Sequence, residues 1–149
     1  CLPQSERGKF YHGQFRILIT YMTQRNALVT GASRGIGKAC ALALAAAGHR
    51  VVLAARDLTK LEDTAAQIRD AGGTALVVPL DLADLDSIPA SFKNATDRLG
   101  APIQILVNNA AITKDGLSMR MKRADFESVL DINLTAAFVS IQQVMPAMM

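Results

Sequence analysis

Hydrophobic and polar positions follow two different patterns from residue 26 onward, and the two patterns alternate along the chain. Nearly continuous apolar runs of five or six residues, each followed by a turn, are typical of strands that a parallel sheet buries on both faces. They predict strands at 26–30, 50–55, 75–80 and 103–107. Apolar residues at helical spacing predict helices after the first strand, over 58–71, over 85–99, and along a long stretch around 124–148.

The helix that follows the first strand has the most regular apolar spacing. Its stripe recurs at i, i+4, i+7, i+8 and i+11 and predicts an inward face made of Ile36, Cys40, Ala43, Leu44 and Ala47. Gly48 is expected to end this helix as a left-handed cap.

The next two helices also show boundary signals. In the second, Leu61, Ala65 and Ile68 are expected to face inward. Asp57 is expected to cap its start, and Gly72 and Gly73 to close it. Pro89 lies in the first turn of the third helix, where proline is tolerated.

Alternating strands and helices predict an α/β fold with a parallel sheet and helices on both faces. The expected form is a Rossmann-like, doubly wound sheet of about four strands in the order 3-2-1-4. A complete fold of this kind has further strands, so the sequence is interpreted as an incomplete domain.

The N-terminal segment differs from the rest of the chain. Residues 1–21 show no clear period, and we expect the natural domain to begin near Met22 and to run as one unit over 22–149. The formal net charge of +3 and the pI of about 9.1 arise entirely from the first 25 residues, because charges balance from residue 26 onward. A basic surface for nucleic acid is therefore not indicated.

Composition indicates the cellular compartment and the kinds of site that the chain can hold. Two cysteines do not make a disulfide framework, and Cys40 is interpreted as a small buried hydrophobe. No apolar run approaches the roughly 18 residues that a membrane span needs, and no metal site is predicted. We expect a cytoplasmic protein.

A glycine-rich turn between the first strand and the first helix carries the chemistry. Gly31, Gly35 and Gly37 stand in Thr-Gly-Ala-Ser-Arg-Gly-Ile-Gly, residues 30–37. Glycines there let backbone approach a ligand, and the N–H groups and dipole of the helix start attract a pyrophosphate. The segment does not match a Walker-type phosphate loop at either end of that motif. It does not match the G-x-G-x-x-G spacing either, because Cys40 stands where the third glycine would be.

The turn resembles the Thr-Gly-x-x-x-Gly-x-Gly fingerprint of short-chain dehydrogenases/reductases. Asn108-Asn109-Ala110-Ala111 is similar to that family's Asn-Asn-Ala-Gly segment, departing from it at Ala111. Asp81-Leu82 stands where the family places an acidic residue that contacts the adenine amino group, and Asn133 matches its catalytic asparagine. The resemblance covers about residues 24–149. It implies a cofactor site made of Gly31, Ser33, Arg34, Gly35, Ile36, Gly37, Arg56, Asp81, Leu82, Asn109, Ala110 and Ala111.

The end of the second strand favours NADP(H) over NAD(H). An NAD site needs an acidic residue there, and the position holds Ala55, followed by Arg56. Arg56 and Arg34 are interpreted as a pair that brackets a 2′-phosphate with forked hydrogen bonds. The alternative is that both are ordinary solvated arginines.

The resemblance also shows which catalytic groups the given sequence lacks. Family members use a Ser and a Tyr-x-x-x-Lys pair, whereas this chain holds only Tyr11 and Tyr21, neither with Lys four residues later. Asn133 is the one catalytic candidate, with an amide that only satisfies helix backbone groups as the alternative. Asn109 has a comparable alternative, a strand-end brace. We expect the 149-residue chain alone to bind cofactor and to catalyse no carbonyl reduction.

Residues 112–122 resemble a loop of the 3-oxoacyl-acyl-carrier-protein reductases. This implies NADPH-dependent carbonyl reduction in fatty acid synthesis, with basic residues that meet an acidic carrier protein: Lys114, Arg120, Lys122 and Arg123. An ordinary exposed charged loop is the alternative. The apolar helix beyond residue 126 resembles the one through which family members form dimers and tetramers. Also open are a short-chain reductase for a sugar, alcohol or steroid, and a non-catalytic NADP-binding or oligomerising module.

Overall fold

A computed structural model describes residues 24–149, so the predicted extension over 1–21 and the proposed start at Met22 lie outside the described residues. Four strands form one parallel sheet: β1 (Asn26–Thr30), β2 (Arg50–Ala55), β3 (Thr74–Pro79) and β4 (Ile105–Val107). Their order is β3-β2-β1-β4, which confirms the predicted topology. At the centre of the sheet, Leu28 of β1 pairs with Val52 of β2 and Leu106 of β4.

Within residues 24–149, five α-helices accompany the sheet: α1 (Gly35–Ala46), α2 (Leu58–Asp70), α3 (Ile88–Leu99), α4 (Arg123–Leu130) and α5 (Ala136–Met148). Short 3₁₀ turns lie at Leu85–Ser87 and Ser118–Arg120. The predicted long helix around 124–148 is α4 and α5 joined by a π-helical turn, Asp131–Thr135.

The two faces of the sheet bury separate apolar clusters. On one face Val29, Val51 and Leu53 pack with residues of α1 and α2, including the buried Leu61, Ala65 and Ile68 that the spacing predicted. On the other face Leu28 and Val52 pack with residues of α3 and α5, among them Phe92 and Val144. Because neighbouring strand residues point to opposite faces, helices cover both sides, as a doubly wound sheet requires.

The predicted inward face of α1 is wrong for three of its five residues, whereas Cys40 and Leu44 pack against the buried cluster as expected. Ile36 is 76% exposed, Ala43 and Ala47 are also exposed, and the fully buried residues of this helix are Gly37 and Ala41. Small residues at 37 and 41 let α1 approach the sheet closely, and this close approach selects the face against the larger apolar side chains. Cys40 is half-buried at the edge of the cluster rather than within it.

Helix ends follow the sequence signals closely. Gly48 has φ +89° just beyond α1, and Gly72 has φ +82° just beyond α2, so both supply the left-handed residue after a helix. Pro89 lies in the first turn of α3, which begins at Ile88 rather than at residue 85.

No helix within residues 24–149 is long and apolar enough to cross a membrane.

Candidate functional site

A cleft of about 680 Å³ lies at the carboxyl ends of the strands. Its walls include Thr30 at the end of β1, Ala55 at the end of β2, Leu80 just after β3, and Asn109 just after β4. β1 and β4 are neighbours whose chain connections run in opposite directions across the sheet, the switch point where open α/β sheets bind ligands.

The glycine turn forms the floor of this cleft. Gly31 has φ +67° and Gly35 has φ +56°, conformations that favour glycine. A Cβ on Gly35 would meet nothing within 4 Å, so backbone at the start of α1 is open to a ligand. A Cβ on Gly37 would collide with the carbonyl oxygen of Gly31 and stand 2.5 Å from Asn109 Nδ2. Gly37 thus lies beneath the turn, which only a residue without a side chain permits.

Thr30 and Asn109 hold the turn against β4. The Thr30 hydroxyl accepts hydrogen bonds from the backbone N–H of Asn109 at 3.0 Å and of Ala110 at 3.1 Å, and donates to the Val107 carbonyl at 3.3 Å. Asn109 Nδ2 donates to the Thr30 carbonyl at 3.0 Å and to the Gly31 carbonyl at 3.4 Å. These are the contacts of a strand-end brace, and Asn109 also lines the cleft. Nothing in the sequence marked Thr30 beyond its place in the glycine motif.

Eleven of the twelve residues proposed for the cofactor line the cleft, and Gly37, beneath its floor, is the exception. The eleven are Gly31, Ser33, Arg34, Gly35, Ile36, Arg56, Asp81, Leu82, Asn109, Ala110 and Ala111. Ile36, misplaced on the predicted inward stripe, belongs instead to the cleft wall. The structure therefore brings residues from four separate segments of the chain to one site.

Two exposed arginines stand at the mouth of the cleft, Arg34 in the turn and Arg56 just after β2. Within residues 24–149, neither guanidinium pairs with a carboxylate. Both are therefore able to donate to an anionic ligand without first breaking an internal ion pair.

Asp57 and Lys60, which the sequence did not assign to the site, also line the cleft. Asp57 caps α2 as predicted, its Oδ1 accepting from the Lys60 backbone N–H at 3.1 Å. The Lys60 ammonium stands 2.9 Å from the other carboxylate oxygen. Hydrogen bonds from the side chain and the backbone of Lys60 hold the pKa of Asp57 below its ordinary value.

The lining residues after β3 and β4 include one charged side chain, Asp81. Asp81 is exposed and its Oδ1 accepts from the Ala83 backbone N–H at 3.0 Å, a local turn that fixes the carboxylate at the rim. Leu82, Ala110 and Ala111 add apolar surface.

Asn133 lies in the π-helical turn, outside the cleft lining, although its neighbour Ile132 belongs to that lining. Its Oδ1 accepts from the Ile112 backbone N–H at 2.9 Å, and its Nδ2 donates to the Ile112 carbonyl at 2.8 Å. The amide therefore bonds to Ile112 and not to backbone groups of its own helix. The alternative, an amide that only satisfies helix backbone groups, is wrong. The Asn133 amide ties that turn to Ile112, which itself lines the cleft.

The basic loop is partly neutralised within the chain. Lys114 pairs with Asp125 at 2.7 Å and Arg123 pairs with Glu127 at 2.6 Å. Arg120 and Lys122 have no such partner among residues 24–149.

No group of three or more potential metal ligands occurs in the same range.

Comparison with known proteins gives the same assignment from sequence and from structure. Residues 25–149 match the sequence model of the family described as short chain dehydrogenase. A 3-oxoacyl-[acyl-carrier-protein] reductase of Synechocystis sp. is 44% identical over 132 residues, which cover 88% of this chain and 53% of that protein. The chain thus spans about half the length of the curated relatives that it matches.

Solved structures resemble the fold closely. A metagenomic short-chain oxidoreductase in complex with NADP matches with a TM-score of 0.79 and 39% identity, over 83% of this chain and 56% of that one. A 3-oxoacyl (acyl-carrier-protein) reductase from Agrobacterium tumefaciens C58 with NADP bound matches with a TM-score of 0.77 and 33% identity, over 83% and 47%.

Proposed function

The chain belongs to the short-chain dehydrogenase family, and from this premise we propose that it is the cofactor-binding part of an NADPH-dependent reductase. The reaction of the whole protein is the reduction of a 3-oxo group to a hydroxyl on an acyl chain attached to acyl carrier protein. Relatives at 44% and 40% identity that carry the name of this reductase support the proposal.

The observation that carries the proposal is the backbone cradle at the start of α1. Open space above Gly35 and the close approach that Gly37 permits leave the backbone at the start of α1 open beside the cleft, which Gly35 and Ile36 line. A pyrophosphate suits this position because helix N-termini attract anions. The cleft volume of about 680 Å³ is in the range of small-molecule sites.

The arginines select the cofactor in this proposal. Arg34 and Arg56 donate to the 2′-phosphate of NADPH, and Ala55 leaves the end of β2 without a carboxylate that would repel it. Asp81 at the rim accepts from the adenine amino group, and Leu82 and Ala110 contact the adenosine. When bound, NADPH supplies the hydride.

For catalysis, Asn133 is positioned by Ile112. Each atom of its side-chain amide makes one bond there, which leaves a second lone pair on Oδ1 and a second N–H on Nδ2 to hold a water. The 149 residues contain no Tyr-x-x-x-Lys, and we assign them binding without turnover.

The substrate and its carrier are assigned from the loop at 112–122. Its two cations without internal partners in the described range, Arg120 and Lys122, are the ones available to an acidic carrier protein. This loop favours an acyl-carrier-linked substrate over a sugar, an alcohol or a steroid. With its two cysteines and no disulfide framework, the protein is assigned to the cytoplasm.

A second copy of the chain is the proposed partner of α4 and α5. Large apolar side chains recur every three or four residues along their outer face and are 39–65% exposed: Phe126, Leu130, Leu134, Phe138, Ile141 and Met145. A monomer rarely exposes a continuous apolar stripe of this length. We assign the stripe to a homo-oligomer, a dimer or tetramer.

The experiment compares NADPH with NADH in wild type and in Ala55→Asp/Arg56→Ala. We expect the wild-type chain to bind NADPH roughly tenfold or more tightly than NADH, since charge-assisted hydrogen bonds contribute about 1.5–3 kcal/mol each. The double variant replaces an attraction by a repulsion, so its preference should vanish or reverse. Fluorescence titration with each dinucleotide measures both constants.

Arg120→Ala is the control, because it removes an exposed guanidinium outside the cleft and should leave both constants unchanged. A double variant that still prefers NADPH contradicts the assignment of the 2′-phosphate site. A wild-type chain that binds neither dinucleotide contradicts the whole proposal.

A further inference from the structure

The mouth of the cleft holds a carboxylate where a phosphate site should have none. Asp57 lines the same cleft as Arg34 and Arg56, and it directly follows Arg56 in the chain. A free carboxylate there would repel a dianionic 2′-phosphate and offer the hydroxyls of NADH an acceptor.

Lys60 engages both oxygens of that carboxylate. Its backbone N–H donates to Asp57 Oδ1 at 3.1 Å, and its ammonium lies 2.9 Å from Oδ2. One turn of α2 separates the two residues, so the helix itself brings the ammonium to the carboxylate. Lys60 also lines the cleft, which keeps its positive charge on the ligand side.

We propose that Lys60 is a specificity-determining residue: it neutralises Asp57 and thereby lets a cleft with a carboxylate at its mouth accept the 2′-phosphate of NADPH. The inference rests on the proposed function. Lys60 acts through Asp57, so its role is positioning and electrostatic rather than catalytic.

Charge masking and helix capping use different groups of Lys60. The cap uses the backbone N–H of residue 60, which every substitution except proline retains. Masking uses the ammonium, which Lys60→Gln removes. A change in cofactor preference without a loss of folding stability is therefore the signature of the masking role.

The experiment measures NADPH and NADH affinities for four forms of the 149-residue chain: wild type, Lys60→Gln, Asp57→Asn and Asp57→Asn/Lys60→Gln. In Lys60→Gln we expect NADPH binding to weaken roughly three- to tenfold and NADH binding to hold or to improve by up to about twofold, since the freed carboxylate repels the extra phosphate and accepts from the ribose hydroxyls. In the double variant no carboxylate remains, so NADPH affinity should return to near the wild-type value. Asn still caps α2.

Lys93→Gln is the matched control. Lys93 also forms an exposed helical ion pair, with Asp97 at 2.6 Å, but it lies on α3 outside the cleft lining. It changes the net charge equally and should leave both affinities unchanged. Thermal unfolding of every variant verifies that the fold is retained.

The outcomes separate this inference from the proposed function. A wild-type chain that prefers NADPH, with the same preference in Lys60→Gln, overturns the inference and leaves the function standing. Equal weakening in Lys60→Gln and in the double variant also overturns it, because Lys60 would then act directly on the phosphate. A wild-type chain without preference for NADPH overturns both.

Discussion

At the scale of single residues, the missing side chain of Gly37 has two opposing effects on the stability of the fold. In a helix, alanine is favoured over glycine by about 1 kcal/mol. Here an added Cβ would collide with the Gly31 carbonyl and stand 2.5 Å from Asn109 Nδ2. Backbone cannot yield as the end of a flexible side chain does, so steric repulsion dominates.

Gly37→Ala should therefore destabilise the chain by roughly 1–3 kcal/mol in the free energy of unfolding, the usual cost of overpacking. It should also weaken NADPH binding, because the turn must move to make room. Urea unfolding and NADPH titration measure the two effects.

The control for that variant is Gly116→Ala. Gly116 is exposed, its φ is not in the left-handed region, and its Cβ would meet nothing within 4 Å. It should change stability by less than about 0.5 kcal/mol. A Gly37→Ala chain as stable as this control would contradict the packing argument.

Sequence reasoning found the residues of the cleft better than it found their partners. A motif such as Gly-x-x-x-Gly-x-Gly encodes local backbone geometry and identifies the residues of the turn, whereas Asp81, Leu82 and residues 109–111 were expected from the family resemblance. The pairing of Asn133 with Ile112 crosses 21 residues, and no spacing rule encodes it. The sequence identifies Asp57 as a helix cap, but its simultaneous ion pair with Lys60 depends on the side-chain rotamers of the folded chain.

At the scale of elements, strand order was predictable, whereas the exact helix faces and the division of the last helix into α4 and α5 were not. Alternation of apolar runs determines which residues become strands, and β1 and β2 have the predicted bounds. In α1, Gly37 and Ala41 are buried in place of Ile36, because close packing of small residues outweighs the burial of its larger side chain. The π-helical turn at Asp131–Thr135 was not predictable, since it differs from an α-helix by a single extra residue in one turn.

That turn has a role in the arrangement of elements, because Asn133 projects from it to both backbone groups of Ile112. Asn133→Ala should lower the free energy of unfolding by about 1 kcal/mol, the net value of exposed hydrogen bonds. It should also release the loop that follows. Trypsin, which cleaves after Lys114, Arg120 and Lys122, should then cut this loop severalfold faster.

Asn94→Ala is a fair comparison, because Asn94 is exposed on α3 and forms no side-chain hydrogen bond within the described part of the chain. It should leave the cleavage rate unchanged. Equal cleavage of the Asn133→Ala chain and wild type would show that the two bonds do not hold the loop.

At the scale of the whole molecule, two surfaces contrast. The cleft collects polar backbone and cations at the carboxyl edge of the sheet, whereas the outer face of α4 and α5 is apolar over most of its length. α5 packs its opposite face, with Ser140 and Val144, onto the core beside α3. The helix is therefore anchored by one side and leaves the other available to a second copy.

Phe138 lies near the middle of this outer face and is 59% exposed. Phe138→Glu adds a charge to the centre of the proposed interface, where burial without a partner costs several kcal/mol. We expect the wild-type chain to sediment as a dimer or larger species and the variant as a monomer at the same concentration. Asn94→Glu adds the same charge on α3 and should leave the assembly intact. A wild-type chain that sediments as a monomer would remove the second copy from the proposal, but NADPH binding by each protomer would be unaffected, since the described cleft is built from one chain.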